Sequence, residues 1–187
     1  MRIALPIAAL ALLALAGCKS ETTTLSGEAI VSDIPWPASE EARYRLLDGD
    51  DEKGSGVLTI DSQGGRVTFR QAFESEDFKD AVEAVVDGVT MEPESVQRVI
   101  DGPDGERRWE VEYGDAAVTV VQRSEDDKRQ DKVSVPTRSY DSWTDVFLWR
   151  TIEFRDGYEA SYSDVLSATL ARPQVISQTI RVKGKET

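Results

Sequence analysis

Residues 106–113 alternate between two kinds of side chain, and this alternation constrains the fold more than any other feature of the sequence. Trp109 and Val111 belong to an apolar and aromatic set, whereas the intervening positions are charged. Successive side chains of a β-strand point to opposite faces of a sheet, so the pattern predicts a strand with one face in a core and the other in water. The charged set, which is expected to form a solvent-exposed ladder, comprises Glu106, Arg108, Glu110 and Glu112.

Turn signals on both sides of this strand divide the middle of the chain into further short strands. Turns rich in Asp and Gly occupy residues 48–52, 61–65 and 101–105. The strands predicted around them cover residues 44–47, 57–60, 66–69, 95–100, 106–113 and 117–122. Strands joined by short turns pair antiparallel with their neighbours in sequence. The chain is therefore predicted to be mainly β, an antiparallel meander that forms a curved sheet or an open barrel.

Residues 78–89 fit two patterns. Apolar side chains recur at helical spacing from Phe78 to Val89, but the valine-rich alternation over residues 81–86 is typical of a strand. The valine content favours the strand. Residues 158–162 and 175–182 also alternate, and they are predicted to be strands near the end of the chain.

Residues 141–152 carry the best helical pattern. Asp141 or Ser142 can cap the first turn, and the apolar side chains that follow, Phe147 and Leu148 among them, lie on one face of a helix. This single short helix is expected to pack against the concave face of the sheet.

Two further segments are predicted to be loops. The charged run at residues 124–132 is expected to be a solvated hairpin loop. Residues 33–37 contain two prolines, and each proline restricts the residue before it, which excludes the interior of a helix. Trp36 in this loop is expected to pack back onto the domain.

The first residues of the chain have the parts of an export signal. Arg2 supplies a positive charge, and residues 3–16 are almost wholly apolar. This run is shorter than the roughly 20 residues that a transmembrane helix needs, and it is typical of a signal peptide. The sequence Leu15-Ala16-Gly17-Cys18 that ends it resembles the lipobox of bacterial lipoproteins. The resemblance implies cleavage between Gly17 and Cys18 and attachment of lipid to the Cys18 thiol.

These features predict three parts in the chain. Residues 1–17 are the signal peptide, residues 18–26 are a lipidated polar tether, and residues 27–187 form one β-rich domain. In the sorting scheme that accompanies the lipobox resemblance, an Asp after the modified cysteine favours the inner membrane. Lys19 at this position therefore favours the outer membrane, with the domain facing the periplasm.

The composition excludes several classes of function. The formal net charge of −13 argues against a nucleic acid partner and against electrostatic adhesion to anionic lipid. The chain contains no histidine, which excludes Ser-His-Asp and Cys-His catalysis and histidine-based metal sites. Cys18 is the only cysteine, so no disulfide forms within the chain. We therefore expect a non-enzymatic protein without a metal or another cofactor.

Two stretches resemble an uncharacterised family of exported bacterial proteins built on an antiparallel β-meander. The first stretch is residues 86–93, with an acidic residue, a Thr-Met pair and a proline, and the second is residues 135–150, which is similar to the family's helix that opens with Asp and closes with Arg. The resemblance extends over residues 44–186 and implies the meander fold without implying an activity. It also implies a further hairpin after residues 182–187, so either this chain is truncated relative to the family or its resemblance to the family is looser.

Two acidic groups invite a functional interpretation. Asp48, Asp50, Asp51 and Glu52 could chelate calcium, but their spacing does not match an EF-hand loop, and a solvated turn is the favoured interpretation. Glu110 and Glu112 share a strand face, as the paired carboxylates of a glycosidase might. The charged ladder explains them better.

The remaining candidate site joins four residues of the predicted helix: Asp141, Trp143, Trp149 and Arg150. In the functional interpretation, the two tryptophans form one wall of an apolar cavity between the helix and the sheet. In the structural interpretation, a capped helix plugs one end of the meander. We therefore expect a membrane-anchored module that binds an apolar ligand or an envelope protein. The alternatives are an assembly module of the envelope without a small ligand and, less favoured, a carboxylate-only hydrolase.

Overall fold

The computed structural model of the protein describes residues 30–169 and 171–184. The predicted signal peptide, Cys18, Lys19, the tether at residues 18–26 and the last three residues of the chain lie outside the described residues. None of the helical structure in the described ranges is both long and apolar enough to cross a bilayer.

The described part contains eleven strands and one helix. In chain order they are β1 Ser39–Asp48, β2 Asp51–Gln63, β3 Arg66–Ser75, β4 Lys79–Asp87, β5 Pro93–Gly102, β6 Gly105–Tyr113, β7 Ala117–Ser124, β8 Lys128–Ser134, β9 Ser139–Asp141, α1 Asp145–Arg150, β10 Glu159–Leu166 and β11 Gln174–Arg181.

Strands β1 to β8 form one antiparallel sheet in which each strand pairs with the next in the chain. The sheet is an open, curved meander with β1 and β8 at its edges, and the predicted mainly β fold with one short helix is confirmed. Short turns make this order possible. Gly49 turns the chain between β1 and β2 with a φ of 61°, and Gly64 and Gly65 do so between β2 and β3 with φ values of 63° and 82°.

The inner face of the meander carries the core. One row of side chains crosses six neighbouring strands in register and is buried at every position: Ile60, Phe69, Ala84, Val96, Val111 and Val120. The predicted alternation of residues 106–113 is confirmed, because Trp109 and Val111 are buried and the charged ladder is exposed. On that outer face, Arg108 pairs with Glu106 at 2.7 Å, and Arg123 on β7 pairs with Glu110 at 3.3 Å.

A second layer covers this inner face. Strands β9, β10 and β11 form a separate sheet in which β10 pairs antiparallel with β11 and parallel with β9. Helix α1 packs between the layers, where the ring of Phe147 stacks on Phe69 of β3 with 4.1 Å between centroids. Trp36 packs edge-on against Phe69 at 5.5 Å, as predicted for the proline-containing loop.

Three predicted boundaries change. The favoured strand at residues 81–86 is confirmed and extends over β4. The predicted loop at residues 124–132 is wrong, because β8 begins at Lys128 and forms one edge of the sheet. Its charged side chains alternate between exposed positions and partly covered ones, where Arg129 pairs with Asp131 at 2.7 Å. The predicted helix at residues 141–152 is too long, because Asp141 belongs to β9 and Thr144 occupies the N-cap position. The Thr144 hydroxyl donates to the carbonyl of Asp141 at 2.7 Å and does not cap a helical N–H.

Candidate functional site

Asp141 is fully buried at the junction between β9 and the turn before α1. Its Oδ2 accepts hydrogen bonds from the hydroxyls of Tyr113 and Ser167, both at 2.5 Å, and its Oδ1 accepts one from the backbone N–H of Trp143 at 2.9 Å. Burial raises the pKa of Asp141 to about 6, and these three hydrogen bonds oppose the rise. The side chain therefore joins β6, β9 and the segment after β10 instead of capping a helix.

Trp143 lies beside a buried cation. The guanidinium carbon of Arg98 is 4.4 Å from the centroid of the Trp143 ring and 5.4 Å from that of Trp109. Arg98 also makes a two-pronged pair with Asp80, at 2.9 and 2.6 Å, and donates to the carbonyl of Ala168 at 2.8 Å. Trp143 is thus part of a clamp that holds the segment after β10 on the meander.

Trp149 and Arg150 face away from this clamp. Trp149 is 42% exposed and donates its indole N–H to the hydroxyl of Tyr162 at 3.0 Å. Arg150 pairs with both carboxylate oxygens of Glu40 on β1, at 2.7 and 2.9 Å. The four residues of the predicted cavity wall are therefore spread over a buried network, an aromatic clamp and the surface, and Phe147 and Leu148 fill the space between α1 and the meander.

Two more carboxyls lie close to Asp141 in the second layer. Asp145 opens α1 and accepts a hydrogen bond from the Tyr162 hydroxyl at 2.9 Å; burial raises its pKa to about 7. Asp164 on β10 is fully buried, and burial raises its pKa as well. Within the described ranges, Asp164 Oδ1 has no hydrogen-bond partner, and no three acidic or cysteine side chains are placed to hold a metal ion.

A cleft of about 660 Å³ opens at the end of the meander where the β4–β5 and β6–β7 turns lie. Its walls are residues 92–95, residues 112–115 and residues 135–139, with Asp87 at its margin. We call it the acidic cleft because one arginine, Arg138, faces five carboxylates across these walls: Asp87, Glu92, Glu94, Glu112 and Asp115.

Two of the five carboxylates in the acidic cleft are already engaged. Glu94 pairs with Arg66 at 2.7 Å. Asp87 accepts hydrogen bonds from the backbone N–H groups of Val89 and Thr90, and these bonds lower its pKa. Glu112 and Asp115 are exposed, and the described residues make no ion pair with either of them.

The backbone of this region is strained on two sides of the acidic cleft. Met91, next to Glu92, and Arg138 each have a φ of 62°, the left-handed region that ordinary residues rarely adopt. Such conformations persist only where the surrounding structure holds them, and they concentrate at functional sites. Met91 is held because its side chain is fully buried.

Tyr113 connects the acidic cleft to the buried network. Tyr113 lines the cleft, and its hydroxyl donates to Asp141. Burial and the neighbouring Asp141 carboxylate raise the pKa of Tyr113 well above its ordinary value, so the hydroxyl remains a donor at neutral pH. The hydrogen bond from Tyr113 to Asp141 therefore fixes the β6 wall of the acidic cleft from the core side.

Comparison with known proteins finds no matching family model, no similar curated protein and no similar solved structure. Asp87, Glu92 and Pro93 from the first stretch of the resemblance and residues 135–139 from the second both line the acidic cleft.

The other acidic candidates lie elsewhere. Asp48, Asp50, Asp51 and Glu52 surround the β1–β2 turn, where Asp51 pairs with Lys53 at 3.5 Å. Because the turns of a meander alternate between its two ends, this turn lies at the opposite end of the strands from the acidic cleft. Glu110 belongs to the exposed ladder of the outer face, and Glu112 ends that ladder at the rim of the cleft.

Sequence reasoning missed the acidic cleft, although a signal for it was present. In a meander, alternate turns meet at the same end of the sheet, so residues 87–92 and residues 113–117 had to come together. Their acidic composition could then have been read as one surface. The third wall depends on both local and distant pairing. Val135 continues the β7–β8 pairing, because its backbone N–H donates to the carbonyl of Ala116 at 3.1 Å, whereas Ser139 is placed by the parallel pairing of β9 with β10, which the sequence does not indicate.

Proposed function

We propose that this chain is a lipid-anchored, non-enzymatic binding module of the bacterial cell envelope, whose acidic cleft receives a basic segment of an envelope protein. The anchor is the lipid that the lipobox resemblance assigns to Cys18. The outer membrane, facing the periplasm, is the proposed location because Lys19 follows the cysteine.

The excess of carboxylates in the acidic cleft carries the proposal. Glu112 and Asp115 are exposed at its rim and make no ion pair with a described residue, whereas Glu83 on the outer face of the sheet pairs with Arg70 at 2.7 Å. Complementary charge selects a partner and speeds its association. A Lys- or Arg-rich segment fits the cleft for this reason.

The packing of core side chains between α1 and the meander favours a protein partner over an apolar ligand. An apolar ligand requires an apolar cavity, and side chains of the core occupy the space between α1 and the meander. The cleft of about 660 Å³ is of ligand size, but charged side chains line its walls. Polypeptide groups suit these walls better than acyl chains do.

A photo-crosslinking experiment tests the proposal. A benzophenone amino acid in place of Thr137, an exposed residue of the cleft wall, is expected to crosslink one envelope protein in cells that produce the full chain. The pair Glu112→Lys and Asp115→Lys should remove that product. The pair Asp48→Lys and Asp50→Lys makes the same change of charge at the opposite end of the sheet and should leave it intact.

Two results would contradict the proposal. A product that survives reversal of Glu112 and Asp115, or that both pairs remove equally, would show that the acidic cleft does not select the partner. Replacement of Cys18 by Ser tests the anchor separately, because it should move the protein from the membrane fraction to the soluble fraction. Retention of that variant in the membrane fraction would refute the lipid anchor.

A further inference from the structure

Three large apolar side chains are exposed on α1 and on the segment that follows it. Val146 is 46% exposed, Trp149 is 42% exposed, and Phe154, four residues after the end of the helix, is 52% exposed. Val146 and Trp149 are three residues apart in α1 and therefore share one side of it. We call these three residues the helix patch.

The chain enters the domain beside the helix patch. The backbone N–H groups of Ser32 and Asp33 donate to the carbonyl of Thr151, at 3.0 and 3.2 Å, and the Ser32 hydroxyl accepts from the N–H of Glu153 at 3.3 Å. Ile30, just before this contact, is buried in the core. The first described residues are thus bonded to Thr151 and Glu153, which lie between Trp149 and Phe154 in the chain.

The length of chain before Ile30 limits how far this point lies from Cys18. Twelve residue steps separate Cys18 from Ile30, and a fully extended chain of that length spans at most roughly 40 Å. This limit holds for any conformation of the segment. A lipid on Cys18 therefore keeps Ile30, and the entry point beside the helix patch, within roughly 40 Å of the bilayer surface.

We propose that the helix patch rests on the phospholipid surface and orients the domain on its membrane. The proposal rests on the lipid anchor of the proposed function. Tryptophan and phenylalanine suit the interface between headgroups and acyl chains, where an apolar ring is buried and a polar edge stays wet. The indole N–H of Trp149 is already bonded to the Tyr162 hydroxyl, so contact of its ring with lipid leaves no donor without a partner.

The charges around the helix patch are compatible with this contact. Arg150 is paired with Glu40, and Asp145 is half-buried and bound by Tyr162. The exposed charges next to Phe154 are of both signs: Glu153, Arg155 and Asp156. The net charge of −13 repels anionic lipid, so apolar contact and not charge holds the patch to the surface.

Single thiol labels test the proposal on the full lipidated chain. Because lipid occupies Cys18, a cysteine introduced by Val146→Cys or Phe154→Cys is the only reactive thiol. Each variant is labelled with an environment-sensitive fluorophore and reconstituted into phosphatidylcholine vesicles that contain 5-doxyl phosphatidylcholine. Leu47→Cys is the matched control, since Leu47 is 53% exposed and lies at the β1–β2 end of the meander.

The expected result is at least threefold stronger quenching at positions 146 and 154 than at position 47. Equal quenching at the three positions, in a chain that stays with the vesicles, overturns the orientation and leaves the anchor intact. If the Cys18→Ser chain binds the vesicles as well as the lipidated chain does, the anchor of the proposed function is overturned, and this inference falls with it.

Discussion

The buried carboxyl of Asp141 should make the protein less stable as the pH rises. Its pKa is about 6 in the folded state, against an ordinary value of 3.8. At 1.36 kcal/mol per pKa unit, this difference corresponds to about 3 kcal/mol. Asp141 is fully buried, so solvent does not reduce this value.

The sign follows from which state binds the proton more tightly. The folded state holds the proton of Asp141 more tightly than the unfolded chain does, so the stabilisation is complete below pH 3.8 and is lost as the pH rises to about 6. Between pH 4.5 and pH 7.5, the free energy of unfolding should fall by about 2 kcal/mol from this group alone. Asp145, with a pKa of about 7, adds to the fall in the same direction.

Urea denaturation followed by tryptophan fluorescence at pH 4.5, 6.0 and 7.5 measures this dependence. Asp141→Asn keeps the size of the side chain and removes its titration. The difference in the free energy of unfolding between pH 4.5 and pH 7.5 should therefore be about 2 kcal/mol smaller in the variant than in the wild type. Asp104→Asn is the matched control, because the Asp104 side chain in the β5–β6 turn is 89% exposed. The reasoning is refuted if Asp141→Asn and Asp104→Asn show the same pH dependence as the wild type.

Two further predictions concern how the two layers are held together. Arg98→Ala leaves Asp80 buried without its cation and should lower the free energy of unfolding by about 3–5 kcal/mol. Replacing Arg98 and Asp80 together by leucine should lower the free energy of unfolding by less. A double-mutant cycle measured by urea denaturation distinguishes additive from coupled effects. Phe147→Ala removes the ring stacked on Phe69 and should lower the free energy of unfolding by about 3–5 kcal/mol. Val146→Ala, on the exposed side of α1, should change it by less than about 0.5 kcal/mol. Thermal unfolding measures both variants, and equal shifts of the melting temperature would contradict the packing described for α1.

The meander could be predicted from the sequence because its information is local. Each of its strands pairs with the next one, so alternation and a turn residue such as Gly64 suffice to define a hairpin. Trp109 illustrates this, since its position in the alternation already places it in the core. The run from Lys128 was misassigned for the opposite reason: an edge strand can be charged throughout, and composition alone does not distinguish it from a loop.

The candidate site could not be assembled in the same way. Asp141 precedes an apolar stripe, which is typical of a helix cap, but its partners Tyr113 and Ser167 lie 28 and 26 residues away in the chain. These contacts depend on the parallel pairing of β9 with β10, which no turn signal in the sequence indicates. Arg150 likewise pairs with Glu40, 110 residues away, and no local pattern identifies this partner.

The contact between Ser32 and Thr151 has a consequence for the order in which the chain folds. The hairpins of the meander join neighbouring segments, so each can form as soon as its second strand is available. Ser32 and Asp33, in contrast, must wait for Thr151, which follows them by more than a hundred residues. In a chain that is delivered from its amino terminus, the meander therefore accumulates first, with the inner row from Ile60 to Val120 still open to water. Closure of the two layers is the late step, and the interval before it is when aggregation or proteolysis would compete with folding.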